Sequence, residues 1–282
     1  MTLLTTAGSG SSILTPEQVQ TLVVEPLTRL AVATQISTVV TIDTNTTRFP
    51  VVVSDASGGW TAEGAEINIS DPDLDELEVT PKALKTLVVC SNELIADTNP
   101  SALTVVGESI VRDLAQKLDH AFFGASVANG PSGLDSLAGV QLVDAGSTFT
   151  DLDAFAAALS KLEQVDSSLA RSFVAHPNTL LQLSELKIGT GYNLPLLGPD
   201  ATSPTRRSIL GVPVYWSPYI EEGLVWLVAQ TKSFVVIRSD TTVVTDTSAF
   251  FSSDRTAIRA TMRVSFAWPH QAAVVRIGTG GS

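Results

Sequence analysis

Lysine is missing from the first 81 residues of this chain, and cysteine occurs only once, as Cys90. A lone cysteine excludes an intrachain disulfide. In Leu87-Val88-Val89-Cys90 it reads as a buried core thiol, compatible with assembly in a reducing cytoplasm. No apolar run approaches the roughly 18 residues of a transmembrane helix. Met1 to Ser12 has neither a basic residue nor an apolar stretch, so it is not a signal peptide and reads as a flexible arm. Charged residues make up only 16% of the 282, against 44% hydrophobic, which excludes global disorder. With 17 basic against 29 acidic residues, the chain lacks the clustered cations of a nucleic-acid binder. A protein of net charge −12 can still enclose DNA, because mild repulsion keeps the polymer from sticking to the wall.

Catalytic motifs are missing too. There is no G-x-S-x-G elbow, P-loop or G-x-G-x-x-G after a strand. His120, His176 and His270 lie 56 and 94 residues apart, without metal-ligand spacing, and His176-Pro177 reads as a strand-to-helix cap. Asp71, Asp73 and Asp75 imitate a calcium loop, but Glu76 stands where that loop needs glycine and Lys82 where it needs glutamate. Asn45-Thr46-Thr47 and Asn68-Ile69-Ser70 are chance sequons without a secretion signal. The expectation is a protein without catalytic residues, cofactor or metal.

What is present is a mixed pattern in α+β order. Thr15-Pro16-Glu17-Gln18 carries the signature of a helix start, followed by Val19, Leu22, Val23, Leu27 and Leu30 at helical spacing, with Pro26 as an interruption. From Thr38 to Asn92 threonine and valine dominate. Two β-rich stretches, Arg48 to Val53 and Leu77 to Val89, flank a polar excursion containing Gly58-Gly59, Trp60 and Asp71-Pro72-Asp73. Asn99-Pro100-Ser101 opens a helix of about twenty residues, with Leu103, Val106, Ile110, Leu114, Leu118, Ala121 and Phe122 on one stripe, ending near Gly124. Helices are predicted over 151–168 and 177–187, with a strand at Ser172 to Ala175 between them. A long loop over 188–208 then leads to short strands at Val212 to Trp216, Leu224 to Val228, Phe234 to Ile237 and Thr241 to Thr245. A regular final strand places Ile258, Ala260, Met262, Val264, Phe266 and Trp268 on one face, with Arg255, Arg259, Thr261, Arg263 and Ser265 on the other.

A two-stranded hairpin alone is marginally stable in water, and at about 3.3 Å per residue a fifteen-residue arm reaches roughly 50 Å. An arm with so little apolar surface is expected to lie on another subunit. The charge is polarised in the same sense. Residues 1–81 carry 11 acids against Arg29 and Arg48, a balance of −9, whereas residues 250–282 carry Asp254 against four arginines, a balance of +3.

Several segments occur in a characteristic order: Trp60-Thr61-Ala62-Glu63-Gly64, Ser70-Asp71-Pro72, Val79-Thr80-Pro81-Lys82-Ala83-Leu84 and Ser91 to Asp97. They are followed by Ala175-His176-Pro177-Asn178-Thr179-Leu180, Leu210-Gly211-Val212-Pro213-Val214, Arg259 to Pro269 and Ala272 to Arg276. Together they resemble tailed-bacteriophage major capsid proteins with the Hong Kong 97-type fold, over roughly residues 13 to 277. The resemblance implies an N-terminal arm (1–40), an extended β-hairpin loop (41–90), a peripheral domain with a long spine helix (91–129 and 246–282) and an axial domain (130–245). It further implies an icosahedral head of pentamers and hexamers that encloses double-stranded DNA without sequence-specific binding. A portal and possible decoration proteins would be its partners, it would have no membrane, and it would be assembled in the host cytoplasm. Some relatives carry a cleaved N-terminal scaffolding segment, whereas here about a dozen residues precede the first helix, so a separate scaffolding protein or prior processing is expected. The lack of lysine before Lys82 predicts a non-covalent shell.

Within that reading, the acidic loop residues Glu63, Glu66, Asp71, Asp73, Asp75, Glu76 and Glu78 are expected to dock near Arg255, Arg259 and Arg263 of a neighbour, with Trp60 as the anchor. The alternatives are that these arginines pair within their own subunit or face solvent, and that Trp60 packs against its own loop. Two other functions remain open: an encapsulin-like compartment enclosing cargo enzymes, and a soluble hydrolase with a dispersed triad.

Overall fold

The computed structural model describes residues 12–13, 25–54, 56–61, 64, 66, 70–93, 102–165, 170–189, 193, 195–197, 207–239 and 241–279. In chain order these form β1 (Ser12–Ile13), α1 (Glu25–Leu30), α2 (Val32–Ile36), β2 (Thr38–Ile42), β3 (Thr47–Ser54), β4 (Asp73–Val79) and β5 (Lys82–Ser91). The long helix α3 (Ala102–Phe123) follows, then β6 (Gln141–Asp144), α4 (Asp153–Glu163), β7 (Arg171–Ala175) and α5 (Pro177–Glu185). The chain finishes with β8 (Ser208–Ile209), β9 (Val212–Trp216), β10 (Leu224–Ala229), β11 (Phe234–Arg238), β12 (Thr242–Phe250), β13 (Arg255–Ala267) and β14 (Val274–Gly278). The predicted helix start at Thr15 to Gln18 lies outside the described residues. Helix α1 begins one residue before Pro26, where a missing N–H costs no hydrogen bond.

The described strands make two six-stranded sheets and one two-stranded hairpin. The first sheet runs β1-β12-β13-β11-β2, with β5 on the other side of β13. Val264 pairs with Lys82 on one side and Ile237 on the other, so the thirteen-residue β13 is flanked on both edges and is the backbone of the sheet. Its period-two pattern does what alternation demands. Ile258, Ala260, Met262, Val264 and Phe266 are buried under α3, while Arg255 and Arg259 stand exposed on the opposite face.

Helix α3 supplies the largest core. Ile110, Leu114, Leu118 and Phe122 form a buried stripe against the first sheet, and Phe122 packs its ring 5.0 Å from Phe266 and 5.4 Å from Trp268. Beyond the helix the chain doubles back so closely that a Cβ on Gly133 would sit 2.2 Å from the carbonyl oxygens of Ala121 and Gly124; only glycine fits there.

The second sheet runs β6-β14-β10-β7-β9-β8. Strand β10 is buried at every position because both of its faces are covered. Trp226 and Val228 face the core of α3, whereas Val225 and Leu227 face Phe155, Leu162, Leu180 and Leu183 of α4 and α5. His176 caps α5 as expected, its Nδ1 accepting the Asn178 N–H at 3.1 Å, and Cys90 is buried. Strands β11 and β12, the latter straddling position 245, both pair with β13 in the first sheet, and β14 pairs with β10 in the second.

Candidate assembly interface

The β-rich stretch expected over Leu77 to Val89 is two strands, separated at Thr80-Pro81. Strand β4 pairs with β3 from Thr47↔Val79 to Ser54↔Asp73, while β5 leaves for the first sheet and pairs with β13 from Arg255↔Ser91 to Val264↔Lys82. The acidic residues Asp73, Asp75, Glu76 and Glu78 therefore sit on a strand rather than in a loop, in a geometry that cannot wrap a calcium ion. Pro81 explains the break, since it has no N–H for a ladder.

The hairpin has two faces. At its root Phe49, Leu77 and Val79 rest on Ile42, Phe234, Val236 and Ala267 of the first sheet, with the Phe49 and Phe234 rings 5.1 Å apart. The opposite face carries Arg48, which bridges Glu76 at 3.1 Å and approaches Glu78 at 4.0 Å. Both bridges are solvent-exposed, each contributing about 0–1 kcal/mol. Further out on that face Val52 and Leu74 form a cross-strand pair, and Leu74 is 62% exposed. Trp60 is fully exposed, touching no pocket of its own chain. Glu66, Asp71, Asp73 and Asp75 are exposed as well, while Glu63 lies outside the described residues.

Of these acids Glu76 and Glu78 meet Arg48 of their own chain, while Asp246 acts on Arg259. Arg255 and Arg259 are exposed and Arg263 is half-buried, all on the face of the first sheet away from α3. Arg263 and Arg259 line a shallow cavity of 390 Å³ together with Lys82, Lys85, Thr80 and Thr261. Arg255 lies at the far end of β13 and does not line it. The register makes this cluster: Arg263 faces Ala83, Thr261 faces Lys85 and Arg259 faces Leu87 across the β5–β13 ladder. Lys82 and Lys85 had no local signal in the sequence; only that long-range register brings them beside the arginines. Nearby, Asp246 on β12 is held below the usual carboxylate range by hydrogen bonds from the Ser248 side chain and backbone, with Arg259 adding to the effect. Exposed Leu87, Val89 and Phe250 complete an outer face that is partly apolar and partly cationic.

Among the described residues no group of three His, Cys, Asp or Glu side chains is placed to hold a metal, and no helix is long and apolar enough to cross a membrane.

The described parts are thus a hairpin packed on the body at its root, a long helix under a mixed sheet and a second α/β layer. Residues 11–278 match the Phage capsid family, to which the chain belongs. The solved structures agree at the level of fold. The capsid of a native GTA particle matches with TM-score 0.70 at 17% identity, over 99% of this chain and 96% of that one. The structure from Mycobacterium phage Adephagia matches with TM-score 0.68 at 15% identity, over 89% and 91%. A virus-like particle from Pyrococcus furiosus matches with TM-score 0.60 at 13% identity, over 93% and 98%. No curated protein sequence matches the chain. The fold is thus of the Hong Kong 97 capsid type, and the chain is a structural major capsid protein that associates with itself in the virion shell.

Proposed function

We propose that this chain builds an icosahedral phage head as pentamers and hexamers around double-stranded DNA. Assembly proceeds in the host cytoplasm with a separate scaffolding protein, a portal and possible decoration proteins, and the finished shell is held by non-covalent contacts, without catalysis. The arm (1–40), extended loop (41–90), peripheral region (91–129 and 246–282) and axial region (130–245) are the working parts.

One observation carries this reading: Trp60, the largest side chain of the extended segment, is fully exposed, Leu74 and Val52 are partly exposed, and among the described residues the hairpin's apolar contacts with the body lie at its root. Burying a large apolar side chain contributes about 1.5–3 kcal/mol, and tryptophans at interface centres are characteristic hot spots. The hairpin gains that energy by lying on a neighbour, with its acids near the neighbour's Arg255, Arg259 and Arg263 setting register more than affinity. The test is assembly of Trp60→Ala and Arg259→Glu, followed by sedimentation and electron microscopy. Both are expected to lower the yield of closed shells while the chain remains folded; normal shells from both variants would refute the docking. The cargo-compartment reading keeps the same fold, but the family match is to phage capsids.

A further inference from the structure

Where α2 hands over to β2, the first sheet ends in a row of polar side chains. The ladders pair Phe234 with Thr38 of β2 on one side and with Ala267 of β13 on the other. One step further along both ladders stand Ser37, Ser233 and Trp268, side by side on three neighbouring segments. The Thr38 N–H donates to the Ser233 carbonyl at 2.8 Å and carries the pairing into that row. The backbone is extended at both serines, so side chains keep alternating between the two faces. Phe234 and Ala267 face the hairpin root, whereas Val235, Phe266 and Trp268 face the core of α3. Alternation puts the Ser37 and Ser233 hydroxyls on that same inner face.

All three side chains are buried, with 2%, 0% and 6% exposure for Ser37, Ser233 and Trp268. Among the described residues, Ser37 Oγ, Ser233 Oγ and Trp268 Nε1 have no hydrogen-bond partner. A buried donor or acceptor left unsatisfied costs its full desolvation, and here three such groups fall in one row. A shared partner removes all three costs. Trp226 Nε1 is buried without a partner as well, but it belongs to β10 of the second sheet.

The chemistry of the row selects its occupant. An indole N–H only donates, so the occupant must accept; serine hydroxyls do both. Neighbouring strands stand about 4.8 Å apart, a spacing that a single heavy atom bridges and an organic molecule does not. No member of the row carries a charge, and an unpaired ion in an apolar core is strongly disfavoured. Water, with two donors and two acceptors, meets each condition.

We infer that Ser37, Ser233 and Trp268 form an internal water site, in which water accepts the Trp268 indole N–H and joins the two serine hydroxyls. The site fastens the segment that leads out of the N-terminal arm to the middle of the first sheet, beside the Thr38 hydroxyl, which donates to the Gln230 carbonyl at 2.9 Å. It is independent of the hairpin-docking reading.

Two measurements test it. A map of the wild-type shell, at a resolution that orders water, is expected to show a peak about 2.7–3.2 Å from Ser233 Oγ and from at least one of the other two atoms. The full chain carrying Ser37→Ala with Ser233→Ala is expected to lose that peak and to melt about 2–4 °C lower, because the indole N–H and the water lose their partners. In a dry site the same change deletes two unsatisfied hydroxyls and raises the melting temperature. An ordered map without density between these side chains overturns the inference, and so does a double variant that melts at or above the wild-type temperature.

Discussion

The carboxylate of Asp119, on the long helix α3, accepts the backbone N–H of Ala33 at 2.9 Å, across 86 residues of sequence. Its second oxygen accepts the Val32 N–H at 3.0 Å. Together they satisfy two amides at the start of α2, where Ala31 offers no side-chain cap, and tie the segment that leads out of the N-terminal arm to the middle of the core.

Burial pushes the Asp119 carboxyl up to about 6, from an ordinary 3.8, against the opposing pull of the two amides. The folded chain thus binds a proton more tightly than the unfolded one, so this group's contribution to stability is complete below about pH 4 and is lost as pH rises through 6. Asp119→Asn does not titrate and keeps one acceptor. The stability advantage of wild type over Asp119→Asn is expected to be larger at pH 4.5 than at pH 7.5, by roughly 2 kcal/mol. Chemical denaturation at the two pH values checks this; an advantage that grows with pH would contradict it.

Phe122 is fully buried, with the rings of Phe123, Phe266 and Trp268 around it. Phe122→Ala is expected to cost about 3–5 kcal/mol, because the cavity cannot collapse between a long helix and a thirteen-residue strand. Chain melting measures it, and a loss below about 1 kcal/mol would show that this face is loosely packed.

Mature particles run on a denaturing gel are expected to give a monomer band without a ladder. The hairpin segment has no lysine before Lys82 to form an isopeptide bond. A ladder of cross-linked oligomers would contradict the non-covalent shell.

The long helix and β13 were legible because each carries its own period: the stripe from Ile110 to Phe122 repeats every three or four residues, and Ile258 to Phe266 alternate strictly. The separation of β4 from β5 shows locally only as a change of phase, from Leu77 and Val79 to Leu84 and Val88 across Pro81, while the different partner each strand takes is set by long-range pairing. The acidity of Asp73 to Glu78 suggested a loop, yet the β3 ladder satisfies its backbone whatever the side chains are. Candidate site residues followed the same division. Trp60 and the arginines of β13 stood out by chemistry, whereas Lys82 and Lys85 became site residues only through pairing with a strand some 180 residues away. The buried Asp119 had no local signal, since its partners lie in another element.

An electron-microscopy map of the assembled shell, at a resolution that shows large side chains, tests the central claim most directly. The predicted result is Trp60 of each subunit seated against an adjacent copy, with the β3–β4 hairpin lying across that copy's first sheet. A map in which the hairpin folds back on its own subunit and Trp60 contacts no neighbour would contradict the account.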